Sequence, residues 1–559
     1  MKKCNKNSIC VLMISLLAGF SALNAQSKAA AEEKSEVIEE ISLPDVSTVI
    51  SGGAPKVGKS AVPDYSDVLP NSAKEMDDEI VPRLPDSINS DAESTKADSI
   101  GKKSASKDVY VEGLAGGGYP GFYTGKFSVY RQSGNNPFKI TFGHESSNGY
   151  ATHPLTDGYF ERNTDIGAEK TFTVKSHKVV LGVNYDSEDN GLQGKVSNIS
   201  DVSQETLGLY ARYDWKIPHG MKLSLGADGD WYKRYQTVTG DVSTALWAKD
   251  VWLLDINPYL SFDFGYKGFN TGVTADYSLQ SDLKSVLGTT GAINRGQFMY
   301  NVGWQNETVH VYGEVGVVVG NNIGYNPVTV PFNAGVDMSF NNGISARKIT
   351  VGLKGGMDSY EPKISTVEKE YLYTAFSELP GETSDWFGKI DFALPIKDIF
   401  TLDINGEFKT TAFDNGTYIP VYSGTVIDGV YSYDRTNSTQ LNTNIDFSAR
   451  IGIANISATW KAHWMDVPVL DAPQTVGLKA SLQDKMAKWG GELGFEMGLG
   501  GDDYVPQVDV SFFYRLTPAV RLAVSLDDTV KLFTGTERTY AGSYISRSGS
   551  ATILVKFFF

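Results

Sequence analysis

The sequence predicts an all-β fold: a transmembrane antiparallel β-barrel of about 22 strands behind a disordered N-terminal periplasmic tail. Three observations carry this reading. The chain opens with an export segment, its later four-fifths alternates oily and charged residues with a period of two, and its hairpin connections alternate between short and long.

The export segment comes first. Lys2, Lys3 and Lys6 precede an apolar stretch from Ile9 to Leu23, and Ala25 ahead of Gln26 offers a small residue at a cleavage point, the pattern of a secretory signal peptide over residues 1–25. Cys4 and Cys10, the two cysteines of the chain, fall inside it. The exported protein is therefore expected to carry no disulfide, thiolate metal site or cysteine nucleophile. Without the three lysines the chain holds 47 basic against 66 acidic residues, a net charge of −19. That balance excludes nucleic acid as a partner, because phosphate binding needs clustered positive charge. No later apolar run approaches the roughly 20 residues of a membrane helix, so a membrane crossing must use strands.

Residues 26–106 read as a mobile periplasmic tail. They are rich in Ser, Ala, Glu, Asp, Lys and Pro, contain one aromatic, Tyr65, and show no sustained periodicity, so they cannot bury enough apolar surface to fold alone. One pattern recurs in Leu43-Pro44-Asp45, Val62-Pro63-Asp64 and Leu84-Pro85-Asp86. Each is an aliphatic residue held extended by the next proline, read either as turn punctuation or as a docking motif for a periplasmic partner or for the barrel lumen.

Residues 107–559 form the barrel. Phe400, Leu402, Ile404 and Phe408 alternate with Thr401, Asp403, Asn405 and Glu407. The split recurs in Leu223, Leu225, Ala227 and Trp231 against Lys222, Ser224, Asp228 and Asp230, and in Val508, Val510, Phe512 and Tyr514 against Asp509, Ser511 and Arg515. A charged second face suits a wet lumen rather than a sandwich core, and aromatics gather toward strand ends as in an interfacial girdle. Ten short turns, such as Lys175-His177 and Tyr266-Gly268, alternate with long polar segments such as Asp186-Asp201, Ser359-Gly381 and Asp414-Arg435. With one tight outer hairpin at Gly116-Gly121 the count is 22 strands, and merging the weak hairpins at Gly116 and Asp466 gives 18. An even count puts both termini on the periplasmic side.

The last strand carries a resemblance. Phe559, with Phe557, Val555, Ile553 and Ala551 at alternate positions before it, is similar to the C-terminal signal by which Gram-negative outer-membrane barrels are recognised by the barrel assembly machinery. The resemblance implies outer-membrane localisation, with outer-membrane lipid and lipopolysaccharide as surroundings. A 22-strand barrel further resembles the transmembrane part of TonB-dependent receptors. That family carries a folded plug of well over a hundred residues, and residues 26–106 are too short and too polar for one; Glu36-Val37-Ile38 only loosely matches the box that contacts TonB.

Candidate chemistry is sparse. In FGHESSNGY, Phe142 to Tyr150, His144 and Ser146 share the strand face of Phe138, Ile140 and Phe142. The pair resembles the H-x-S site of outer-membrane phospholipase A and of lipid A deacylases, which implies Ser146 as nucleophile and His144 as base. The competing and preferred reading is a histidine at the outer interface that begins a polar loop. Gly116 to Gly121 satisfies G-x-G-x-x-G on paper, but Pro120 and the strand that follows exclude a phosphate-binding helix. Asp186, Glu188, Asp189 and Asn190 lack calcium-loop spacing, and the six histidines are scattered, so no metal or cofactor is expected. The lumen charges, Asp228, Asp230, Glu407, Asp446, Arg450, Asp509 and Arg515 among them, read as wall wetting and cross-strand pairing. Together these readings favour a non-enzymatic transport conduit. The alternatives are a non-transporting envelope scaffold and a lipid ester hydrolase.

Overall fold

The computed structural model describes residues 109–558 apart from short stretches, the longest of them 241–249. Twenty-two antiparallel strands form one closed ring, from β1 (Tyr110–Tyr119) to the final strand Ser550–Phe558. Each strand pairs with its sequence neighbours, and the ends meet: Gly113 lies opposite Phe557 and Tyr119 opposite Ala551. The two-residue strand Val328–Thr329 leads into Phe332–Phe340, and the two share one neighbour, Val309–Gly320. The smaller count of 18 is excluded. Phe122–Arg131 follows the Gly116-Gly121 hairpin, and Ala454–His463 pairs with Gln474–Gln483 across the Asp466 connection.

The ring explains the alternation. Leu225 and Trp231 point outward and are exposed, as are Val510, Phe512 and Tyr514, which is how an apolar band meets lipid. Inward residues pair across strands: Lys389 Nζ lies 2.8 Å from Glu407, Arg212 3.4 Å from Asp228, and Lys479 3.0 Å from Glu492. Among the described residues no helix is long and apolar enough to cross a membrane.

The glycine run near the start serves the seam. A side-chain carbon on Gly118 would run into the carbonyl oxygen of Ala551, and one on Gly116 into that of Ile553. These glycines let the first and last strands approach, and the run is a seam rather than a phosphate loop. Phe558, an aromatic on the lumen side of the last strand, sits under two cations, with Lys556 Nζ 5.2 Å and the Arg521 guanidinium 5.9 Å from its ring centre.

The wall has two heights. Most strands from Phe332 onward have 9–14 residues, whereas Phe160–Val174, His177–Gly191, Ile199–Ile217, Met221–Val238 and Val251–Tyr266 have 15, 15, 19, 18 and 16. A tilted crossing needs about 9–11 residues, so this side of the ring rises well above the bilayer. The expected loop Asp186-Asp201 is corrected accordingly: His177–Gly191 and Ile199–Ile217 pair through Asp186, Glu188 and Asn190, so these residues belong to a strand and not to a surface loop.

Candidate functional site: a loop cap on the tall wall

The tall wall changes texture at its outer end. In the strand Val251–Tyr266 the inward positions turn from charged to apolar, with Val251 and Leu253 fully buried. The cover comes from the chain between Ile349–Tyr360 and Thr383–Ile396. Read from sequence as a polar outer loop, this segment forms helix α1 (Ile364–Glu370) and folds back onto the wall. Pro362 just ahead of the helix and the Ile364–Val367 pair one turn apart give it a start and an apolar stripe. Ile364, Phe376 and Leu379 pack with Tyr232, Val251, Leu253, Leu287 and Ile293 in one apolar cluster.

Polar contacts register the docking. Glu368, fully buried, is paired with the Arg234 guanidinium and accepts from the Tyr232 hydroxyl at 2.8 Å. Gln204 Nε2 donates to the Glu368 carbonyl at 3.3 Å. Lys363 lies 3.5 Å from Asp230, and Lys369 is paired with Asp186 and lies 3.9 Å from Glu188. At the two ends of the segment Glu361 accepts from Ser278 at 3.1 Å and Gln280 at 3.2 Å, and Glu382 is held by Arg295 Nε at 3.1 Å. Burial raises the Glu361 carboxyl above its ordinary value, an effect that the two hydrogen bonds oppose and the charge of Glu382 adds to.

Other outer connections join the cap. Thr374–Ala375 runs parallel to Tyr431–Thr436, which pairs with Thr417–Pro420, so two loops share a small sheet. A second apolar cluster gathers Leu192, Val196, Ile199 and Val202 with Tyr373, Val430, Tyr431 and Tyr544. Tyr373 and Tyr544 stack with ring centres 3.6 Å apart, and the Tyr544 hydroxyl donates to the Gly429 carbonyl at 2.6 Å. Four outer connections thus share one core.

A search of solved structures finds the same ring in many proteins, three of which follow. The barrel matches the siderophore receptor PirA of Acinetobacter baumannii at 9% identity with TM-score 0.59, covering 81% of this chain and 80% of that one. It matches the FrpB iron transporter of Neisseria meningitidis at 10% identity and TM-score 0.59, covering 81% of each chain. It matches the copper transporter OprC at 11% identity and TM-score 0.58, covering 81% of this chain and 80% of that one. The 22-strand ring is the barrel fold of these proteins. The likeness expected from strand count to TonB-dependent receptor barrels therefore holds for the fold. No protein-family model and no curated protein matches the sequence.

Asp186, Glu188 and Asp230, noted in the sequence as loop and lumen carboxylates, sit beneath the cap, whereas the catalytic, assembly and docking candidates lie elsewhere. His144 Nδ1 is 2.9 Å from the Thr164 hydroxyl on the neighbouring strand, and among the described residues no hydrogen bond joins it to Ser146, which is buried. Ile553 and Val555 face outward and are exposed, and Phe557 shares their face by alternation. Phe559 and the tail motifs at Leu43 to Asp45, Val62 to Asp64 and Leu84 to Asp86 lie outside the described residues. Sequence reasoning missed Arg234, Glu368, Lys363 and Lys369. The signal that could have found them is the inverted alternation at Val251 and Leu253, which asks for an apolar cover on the lumen side.

Proposed function

We propose that the protein is an outer-membrane transport barrel whose outer mouth is governed by the loop cap. The observation that carries this reading is a 22-strand ring, apolar outside and lined with paired charges inside, because a ring this wide holds an aqueous path unless something fills it. The neighbours named for siderophores, iron and copper support transport as the class of activity without supplying a solute. Residues 26–106 then serve as the periplasmic element, docking a partner through the Leu-Pro-Asp and Val-Pro-Asp motifs or occluding the lumen, and lipopolysaccharide and lipid surround the wall.

Conductance in a planar bilayer tests it. The full exported chain should pass little current, and the chain lacking 26–106 or the cap segment 361–382 should pass more. A silent barrel in every form, with partners retained through the tail motifs, would favour the scaffold reading. The hydrolase reading has no specific observation behind it, since His144 engages Thr164. Ser146→Ala is expected to leave no lipid hydrolysis to lose.

A further inference from the structure

The inner face of the tall wall is acidic where helix α1 rests. Asp186 and Glu188 lie on His177–Gly191, Asp230 on Met221–Val238, and Asp255 directly opposite Asp230 on Val251–Tyr266. Asp255 is 2% exposed, and its Oδ2 has no hydrogen-bond partner among the described residues. The loop answers this wall with two ammonium groups, Lys363 on Asp230 and Lys369 on Asp186 and Glu188. Lys363 caps the start of α1 and Lys369 lies in its last turn, six residues on, about 9 Å along a helix axis. The carboxylates Asp230 and Asp186 lie two strand spacings apart and two residues out of level, roughly 12 Å. The match of spacings is the point: the loop lies on the wall as a two-ended cation.

We propose that this carboxylate strip is a binding site for a linear organic cation carrying two or more ammonium groups about 10 Å apart, and that Lys363 and Lys369 occupy it as a tethered competitor. A metal ion does not fit, because no group of three or more His, Cys, Asp or Glu side chains among the described residues is placed to hold one. A spread row of single carboxylates instead suits a flexible polyamine. Binding and undocking of the cap are then linked: a free polyamine must displace the lysines, and its apparent affinity is its intrinsic affinity multiplied by the fraction of time they are absent. The proposal rests on the transport reading for its biological use, but the site itself does not.

The test is calorimetric titration of the full exported chain in detergent with spermidine. The wild type should bind weakly, and Lys363→Gln/Lys369→Gln should bind about tenfold tighter or more, since a tethered group competes at an effective concentration in the millimolar range. Asp255→Asn or Asp230→Asn in that background should weaken spermidine at least fivefold, each variant being checked for the heat-modifiable electrophoretic mobility of a closed barrel. Unchanged affinity in the lysine variant, or indifference to both aspartate substitutions, would overturn the proposal. So would equal competition by magnesium chloride, which would reduce the effect to screening. Spermidine binding without conductance would remove transport and leave the site; conductance without spermidine binding would do the reverse.

Discussion

Arg234 and Glu368 stand 134 residues apart in the chain and meet as an ion pair inside the cap, with side chains 1% and 0% exposed. The carboxylate is further satisfied by the Tyr232 hydroxyl and by the backbone N–H of Phe376 at 3.4 Å. Neither charge has water to fall back on. A buried strand cation therefore helps to fix where a distant loop docks.

Removing one partner strands the other. Glu368→Gln or Arg234→Met is expected to cost the docked cap about 3–5 kcal/mol, because a lone buried charge is left behind. The double variant Arg234→Met/Glu368→Leu should recover most of that loss, since an apolar pair of similar volume suits the site as well. Limited proteolysis within 361–382 reads both results.

The contribution of Glu361 to docking should weaken as pH rises. The Glu361 carboxyl is raised in the docked state mainly by burial, so the docked form holds its proton more tightly than the free loop does. Below the ordinary glutamate range both forms are protonated and the contribution of Glu361 to docking is fully present. As pH climbs through that range toward the raised value, the free loop gives up its proton first and docking loses ground. Hydrogen exchange of the α1 amides should accelerate over this window, and Glu361→Gln should reduce the slope.

The stacked tyrosines tie separate loops together. Tyr544→Ala removes the ring that lies 3.6 Å from Tyr373 and the hydroxyl bond to Gly429. A loss of about 3–5 kcal/mol is expected, the range for deleting a large buried aromatic. It should appear as faster exchange at Leu192 to Ile199 and at Val430, with the barrel strands unchanged.

The seam tolerates no bulk. Gly118→Val places a branched side chain against the backbone of Ala551 and should abolish the heat-modifiable band of a closed barrel. Gly125→Ala, where an added carbon meets nothing within 4 Å, is the matched control and should assemble normally.

The ring was legible because a barrel repeats one signal many times. Oily Leu223, Leu225 and Trp231 against Ser224, Asp228 and Asp230 states which face meets lipid, and each later strand restates it. The last strand was legible to the residue, down to Ile553 and Val555 outward and Lys556 inward. The cap was not, for a physical reason. Alternation reports which face of a strand is apolar, not which of several polar segments will cover an apolar patch. Glu368 reads as an ordinary loop charge until Arg234 is seen beneath it. The lumen-side Phe558 gives no sequence signal of its surroundings, because its cation–π partner Arg521 comes from a different strand.

The pairing of the first strand with the last has a consequence in time. The edge that runs through Leu114 and Gly116 is the earliest strand to leave the ribosome, and its partner through Leu554 is the latest. For the whole interval between them one row of backbone donors and acceptors has no native mate, and in hydrocarbon each such group costs several kcal/mol. Insertion strand by strand is therefore disfavoured for the chain on its own. A chain cut short by its final nine residues would hold two open edges instead of none, and would be an unclosed sheet rather than a slightly smaller ring.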